Sequence, residues 1–600
     1  MAMSESMRAE NSTKISAFTL EVAVYVALAI LGLFTRLVAL DAAPLAQDEA
    51  RQALASLNFA RGMFDGFTGS PLLFSGNALI FALFNASDAN ARLIPVFVGS
   101  VLILLPALIR NELGRVGALI ASAFFAFAPS LVFFSRYADG AMPAAVFGFA
   151  AFAFAWRYAN NAAPRDLNLA AAFAALALIS VPDVWTIVLA IILLFIFSRA
   201  GFIASIHNLR FARYALLLFA AILLGVSTFF LLHRAGLGAT FAMFGTWLDA
   251  LAPGGSPFDP FRALVIYEPI PIFFGVAALI DLGFAVRQRD RAHIPIVFAA
   301  LWAILALILT AISGDKNPAH IVSIVVPLIL LASWHIGAWL TRLGEAISVS
   351  PDAQELLMTQ EAPVLFLATV VTAFLYLLIV EFTTRGTLVA AENLMGAAAR
   401  DAGSNVSAAI VLWLSLAGIV AVTFVTLATV GWARARNVGM MCVLVFLALW
   451  TTRQTALVNF GGAPEGTNFI AARNPQDLLV TSATPPSARI LARDLEDVSR
   501  WRANDTRALI LVADTALGPA LEWNLRDFRF ARFSDQPTVT QDAQAYVLRA
   551  NAPAPGADWI AQKYTLEIAR TPPQNFLRWL IFREGASAET LGAVVWVRRP

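Results

Sequence analysis

Apolar residues in this chain come in long runs rather than in alternation. About thirteen stretches approach the roughly 20 residues a helix needs to cross hydrocarbon. They lie near 17-40, 91-110, 116-135, 140-158, 167-181, 183-199, 214-233, 263-286, 293-312, 319-340, 363-382, 406-431 and 437-453. The fifth and sixth are short and meet at Pro182-Asp183, so they read as two spans or as one partly re-entrant hairpin. The run 71-84 is apolar but too short to cross, and a helix lying at the interface is expected there.

Polar residues supply the orientation. Arg8 and Lys14 precede the first run, Arg110 and Arg115 follow the second, and Arg157 and Arg165 the fourth. Arg199, Arg210 and Arg213, then Arg287, Arg289 and Arg291, then Arg342, and finally Arg434 and Arg436 continue the series. All fall on one side if every run crosses, and the positive-inside rule makes that side cytoplasmic. A multi-pass protein of the cytoplasmic (inner) membrane is expected, with its N-terminus inside. Loop 41-90, the turn around Arg136 and Asp139, loop 234-262, the Asp315-Lys316 loop and everything past about residue 454 then lie outside.

The pattern changes after the last run. Charged residues return, and Pro464, Pro475, Pro485 and Pro486 punctuate the chain. Residues 487-500 read as a helix; Ala508–Asp514, Tyr546–Arg549 and Val594–Val597 read as strands. The expected organisation is a transmembrane domain over 1-453, a linker over 454-469 and a small extracytoplasmic α/β domain over 470-600.

Composition agrees with a membrane protein. The 600 residues are 59% hydrophobic and only 14% charged, with mean hydropathy +0.72. A soluble chain of this length needs more polar surface. The net charge of +2 points to no particular partner, and no nucleic acid is expected. Cys442, the only cysteine, sits in an apolar stretch, so neither a disulfide framework nor a thiolate metal cluster is available. The first apolar run lacks a cleavage site and reads as a retained anchor.

Candidate chemistry gathers on the outer side. Asp48 and Glu49 form an adjacent acid pair just past the first run. Carboxylates beside a bilayer are costly unless water, a cation or chemistry keeps them there. Such a pair offers a general base with an orienting partner, or two metal oxygens, and alone it also fits a solvated loop. Arg51, Arg61, Arg92, Arg136 and Lys316 are cations on the same side. Each is a phosphate-binding candidate, although such a cation alone is more often an interfacial snorkelling residue. Lys14, Lys316 and Lys563 are the only lysines, which singles out Lys316 among the outer loops. Asp139 lies three residues past Arg136 and is either its ion-pair partner or a second acid facing a cavity. Tyr267 and Glu268 pose a similar choice between a buried structural pair and a substrate contact. His207, His233, His293, His320 and His335 show no metal-ligand spacing and read as structural.

Several segments carry a family resemblance, in order along the chain. They are Gln47-Asp48-Glu49-Ala50, the stretch Ser87 to Pro95, Leu113-Gly114-Arg115-Val116-Gly117 and Ser135-Arg136-Tyr137. Tyr267-Glu268, Gly314-Asp315-Lys316-Asn317-Pro318, Val326-Pro327-Leu328 and Trp523 to Phe528 complete the set. Together they resemble the GT-C membrane glycosyltransferases, which include the protein O-mannosyltransferase and aminoarabinose-transferase groups. The closest likeness is to the family labelled "flippase activity-associated" proteins. That resemblance implies a sugar transferred from a polyprenyl-phosphate-linked donor to a hydroxyl of a glycan, lipid or protein acceptor, at the outer face of the membrane. It implies Asp48 as catalytic acid with Glu49 its neighbour, and Lys316 and Arg136 as cations near the donor phosphate. No cofactor is required, and a divalent metal is compatible but not called for. The alternatives are a flippase or transport component for lipid-linked sugars and a nonenzymatic scaffold. The chain departs from the family at Gln47, where histidine is frequent, at Gly69-Ser70-Pro71, where His-Gly-Pro is usual, and at Asp315, where glutamate is usual. The missing histidines bear on a metal site and leave an aspartate-based mechanism intact.

Overall fold

The computed structural model describes residues 2-63, 69-197, 209-254, 258-286, 294-348, 432-460, 477-537, 542-570 and 588-599, with isolated helical positions between 366 and 417. Helices dominate up to Phe460, and a sheet domain follows. Helix α1 (Ala2–Leu37) carries the first span. Helices α2 (Gln47–Ala60) and α3 (Pro71–Leu83) form a hairpin in the first loop, and α3 occupies the run expected to lie at the interface.

Among the described residues, five helical stretches are long and apolar enough to cross a membrane: Leu20–Leu37, Leu93–Leu113, Ile294–Ile312, Pro318–Glu345 and Arg436–Phe460. Two bent pairs raise the number to seven. This is fewer than the thirteen runs of the sequence reading, for identifiable reasons. The runs 363-382 and 406-431 lie outside the described residues apart from a few positions, and several others form shorter apolar helices such as Val184–Ile196 and Ala212–Ser227. The helix of the last run continues to Phe460, through the start of the expected linker; residues 461-469 lie outside the described ones.

Both bends have a proline cause. Arg115–Phe127 meets Pro129–Ser135 at 56°, and Pro260–Tyr267 meets Pro269–Phe284 at 97°. The residue before a proline is driven out of helical geometry, and Ala128 accordingly sits at ψ 126°. Backbone groups freed inside hydrocarbon need partners. Arg36 donates to the carbonyls of Phe125 (2.8 Å) and Ala126 (3.2 Å), and Thr455 to that of Phe127 (2.6 Å). Glu268, at the second bend, accepts from the amide and the hydroxyl of Ser130 at 2.9 and 2.6 Å. The two breaks therefore complete each other.

The C-terminal domain is a six-stranded sheet in the order β1-β5-β6-β4-β2-β3. Its strands are β1 (Ser482–Ala483), β2 (Ile510–Asp514), β3 (Phe530–Ser534), β4 (Ala545–Arg549), β5 (Trp559–Arg570) and β6 (Ala588–Arg598). Strand β2 runs parallel to β3 and β4, while the other pairings are antiparallel. Helix Ser487–Ala503 packs Leu491 and Leu495 onto Leu511, Ala545 and Val547, giving the domain its own core.

Candidate active site

Helix α2 shows different residues to three neighbours. Ala50, Ala53 and Leu57, spaced for one helical face, pack with Leu45, Phe81, Ala91 and the fully buried Trp523 of the sheet domain. Asp48 and Arg51, a turn apart, face open space and pair at 2.7 Å with more than half of each side chain exposed. Glu49 points inward. Its carboxylate accepts from two Arg92 nitrogens at 2.9 and 2.8 Å, the Ala46 amide at 3.0 Å and the Ala138 amide at 2.8 Å. The remaining Arg92 donors reach the carbonyls of Leu40, Ala43 and Pro44. A buried ion pair holds only when its remaining hydrogen-bonding capacity is also met, as here.

The bond to Ala138 matters most, because Ala138 precedes Asp139. Through it the helix carrying Asp48 is tied to the turn carrying Asp139, and both aspartates line one cavity of about 540 Å³. Arg51, Gln52, Ser70, Tyr137, Pro182, Met243, Thr246 and Asn317 also line it. Five chain segments distant in sequence thus converge, four of them from loops expected on the outer side. Asp139 accepts from the Ala141 amide at 2.7 Å, which starts the next helix. Burial, opposed by that bond, pushes its carboxyl up to about 6, and the negative charges of Asp183 and Asp48 act in the same direction as burial.

Gly69 fixes the cavity rim. Its φ of +96° suits glycine, and a Cβ would collide with the Gln52 side-chain oxygen. Gln52 in turn accepts from the Ser70 amide at 3.0 Å, and Ser70 caps α3 by accepting from Leu73 at 3.3 Å.

Of the residues singled out from sequence, Asp48, Arg51 and Asp139 line the cavity. The others stand elsewhere for physical reasons. Glu49 and Arg92 are closed off from solvent in their mutual pair. Arg136 donates to the carbonyls of Thr35, Val38 and Ala39 at 2.9, 2.6 and 3.2 Å, capping the end of α1. Lys316 does the same for helix Ile294–Ile312, reaching the carbonyls of Thr310 and Ala311 at 3.1 and 3.3 Å. The Tyr267 hydroxyl donates to Asp477 and accepts from the Leu478 amide, and Glu268 serves the helix break described above. Tyr267 and Glu268 are therefore buried structural groups, not part of the cavity wall.

Contacts that the sequence did not reveal also matter. Gln47 bridges to the sheet domain, accepting from the Ala520 amide at 3.0 Å and donating to Glu567 at 3.1 Å. Gly518, at φ +89°, lets that approach happen, since a Cβ would meet the Gln47 amide. Asp88 accepts from Trp523 at 2.6 Å and from Arg489, and Arg61 reaches Asp527 at 3.2 Å. His320 contacts Asp183 and Asp315 behind the cavity. The one local signal for Asp183 was its place after Pro182 between two short apolar runs. Among the described residues, no three His, Cys, Asp or Glu side chains are grouped to hold a metal ion.

No family profile matches the chain by sequence, and no characterised protein matches it by sequence. Solved structures do match. The apo aminoarabinose transferase ArnT of Cupriavidus metallidurans superposes with a TM-score of 0.50 at 19% identity, over 87% of this chain and 86% of that one. The same enzyme bound to undecaprenyl phosphate gives 0.49 at 18% identity over 85% of each chain. The archaeal oligosaccharyltransferase AglB of Archaeoglobus fulgidus gives 0.44 at 12% identity, over 86% of this chain and 64% of that one. The chain shares its overall fold with ArnT, with helices long and apolar enough to cross a membrane and a C-terminal sheet domain.

Proposed function

We propose that this protein is a glycosyltransferase that moves a sugar from a polyprenyl-phosphate-linked donor to an acceptor hydroxyl at the outer face of the cytoplasmic membrane. A fold hosts many chemistries, so the fold shared with ArnT sets the class of reaction to test, and the cavity carries the weight. The observation that supports this reading best is that Asp48 and Asp139 share the wall of a cavity large enough for a sugar.

Asp48 takes the proton from the acceptor hydroxyl as its oxygen attacks the anomeric carbon. The bond to the lipid phosphate breaks, and the phosphate leaves with the electron pair. General-base catalysis of this kind contributes about 10²- to 10⁴-fold. Asp139 is the second cavity carboxylate, placed to bind sugar hydroxyls. Arg51 is the cation on the wall, held beside Asp48 and exposed enough to turn toward a phosphate. Lys316 and Arg136 act on the leaving phosphate only if their side chains leave the helix ends they now cap. Glu49 and Arg92 position Asp48.

The test is turnover in host membranes, which contain the natural lipid pools. Release of free polyprenyl phosphate from its sugar-linked form is compared for the wild type and Asp48→Asn at equal abundance. Release that disappears in the variant supports the reading, and equal release in both removes Asp48 as the base.

A further inference from the structure

Behind the cavity, His320 stands between two carboxylates. Its Nδ1 lies 2.8 Å from an Asp183 oxygen and its Nε2 lies 3.4 Å from an Asp315 oxygen. The first contact is a hydrogen bond and the second a longer ion-pair contact, and an imidazole set between two carboxylates in this way carries a positive charge. The side chain is largely shielded from solvent, and Asp183 is only slightly more open. The three groups come from two places in the chain. Asp183 follows Val181 and Pro182, which line the cavity, and Asp315 belongs to the loop whose Asn317 also lines it. His320 ends the single turn Pro318–His320 that opens the helix after that loop.

The contact therefore joins two wall segments that no backbone hydrogen bond in the described residues connects. Loop 313-317 is otherwise tied to a different element, through the Gly314 amide and the Ser313 hydroxyl, both donating to Ala250. Around the imidazole, the charged groups are Asp183 from the 181-183 turn, Asp315 and Lys316 from the loop, and Asp139 from across the wall. Asp139 is separated from this cluster by Gly140, where a Cβ would collide with Val181 and the Ser180 carbonyl.

We propose that His320 is a positioning residue: a fixed cation that latches loop 313-317 onto the 181-183 turn and so holds the rear wall of the cavity against Asp139. The latch rests on geometry alone, and its consequence for catalysis rests on the glycosyl-transfer reading. With His320 neutral, Asp183 and Asp315 face each other across it without a counter-charge. The loop then loosens, and the unbalanced negative charge raises the proton affinity of Asp139. The close contact with His320, with burial opposing it, holds the Asp315 carboxyl below its ordinary range, as the latch requires.

Two measurements on the full-length protein in lipid nanodiscs separate the latch from the reaction. The first is hydrogen–deuterium exchange at peptides covering 311-320 and 180-186, for wild type, His320→Gln and Asp315→Asn. Losing a charge-assisted hydrogen bond predicts roughly tenfold faster exchange in His320→Gln and a smaller rise in Asp315→Asn. Asp315 is half exposed, so the second variant keeps the comparison usable if the first folds poorly. Unchanged exchange in both variants overturns the proposal. The second is the pH profile of turnover in host membranes. A latch predicts a fall of about ten- to a hundredfold in His320→Gln, the range misplacement alone produces, with the acid limb moved to higher pH. Adding Asp183→Asn moves that limb back, which a merely structural histidine would not show. A limb that stays in place while turnover falls overturns the coupling to Asp139. Faster exchange with no turnover even in the wild type upholds the latch and rejects glycosyl transfer.

Discussion

Glu49 and Arg92 meet through two hydrogen bonds of 2.9 and 2.8 Å, with neither side chain open to solvent. This adjacent neighbour of Asp48 is thus held by the fold while Asp48 faces the open cavity. A buried pair broken on one side leaves an uncompensated charge. Arg92→Met should therefore destabilise the protein by about 3-5 kcal/mol, and Glu49→Leu by a similar amount. The double variant should recover much of that stability, because two apolar side chains leave no orphan charge. It should not recover turnover, since the bond from Ala138 to Glu49 is lost with it. Denaturant unfolding in detergent, read beside release of polyprenyl phosphate, checks both halves.

Asp48 behaves oppositely. Its side chain is mostly exposed and its one ion-pair partner, Arg51, is exposed as well, so little folding stability depends on it. Asp48→Asn should leave the unfolding midpoint unchanged while turnover drops by about 10²- to 10⁴-fold. A midpoint that falls along with turnover would reassign Asp48 to structure.

The apolar runs made the helical part of the fold legible, and the return of charge after the last run located the sheet domain. Strands β2, β4 and β6 fell within the predicted segments or overlapped them, because short apolar strands flanked by polar residues are a local signal. The helix breaks were harder to read. Pro129 and Pro269 are visible in the sequence, yet a membrane helix tolerates proline when distant groups take up the freed backbone, and Arg36 and Glu268 are distant. The same limit separates Asp48 from its companions. Charge and position marked Arg136 and Lys316 as cations expected on the outer side, but not that each turns its cation onto a helix end. Arg489 and Trp523 lie some 400 residues from their partner Asp88, and no local pattern encodes such a contact.

The Asp139 carboxyl, raised to about 6, gives a pH dependence with two signs. Between about pH 4, the ordinary carboxylate value, and about pH 6, the folded protein holds this proton more tightly than the unfolded chain does. Its contribution to stability is full below that window and declines as pH rises through it, levelling off above about 6. Turnover runs the other way, falling as pH drops through about 6 and the cavity loses a negative charge. Asp139→Asn should remove this limb and leave a low rate that is flat across the window. Rate profiles of both proteins, with unfolding midpoints at pH 5 and 7, check the two signs together.

The sheet domain bears on the site through Trp523. Its ring is fully buried against Ala50, Ala53 and Leu57 on α2, its indole nitrogen donates to Asp88, and Arg526 covers its face at 4.1 Å. The opposite side of the same helix presents Asp48 and Arg51 to the cavity, so displacement of the domain should tilt the cavity-facing side. Trp523→Ala removes a large buried ring and leaves Asp88 with Arg489 alone, a loss of about 3-5 kcal/mol from the docked interface. The sheet domain keeps its own core around Leu491, Leu511 and Val547, so it should remain folded while detaching. Limited proteolysis should then cut between the last span and the sheet domain much faster than in the wild type, with the released domain resistant. Turnover should fall with the docked fraction, and Trp523→Phe, which restores most of the ring, should bring back docking and turnover in parallel. Free release of the domain with unchanged turnover would show that α2 keeps its register without it.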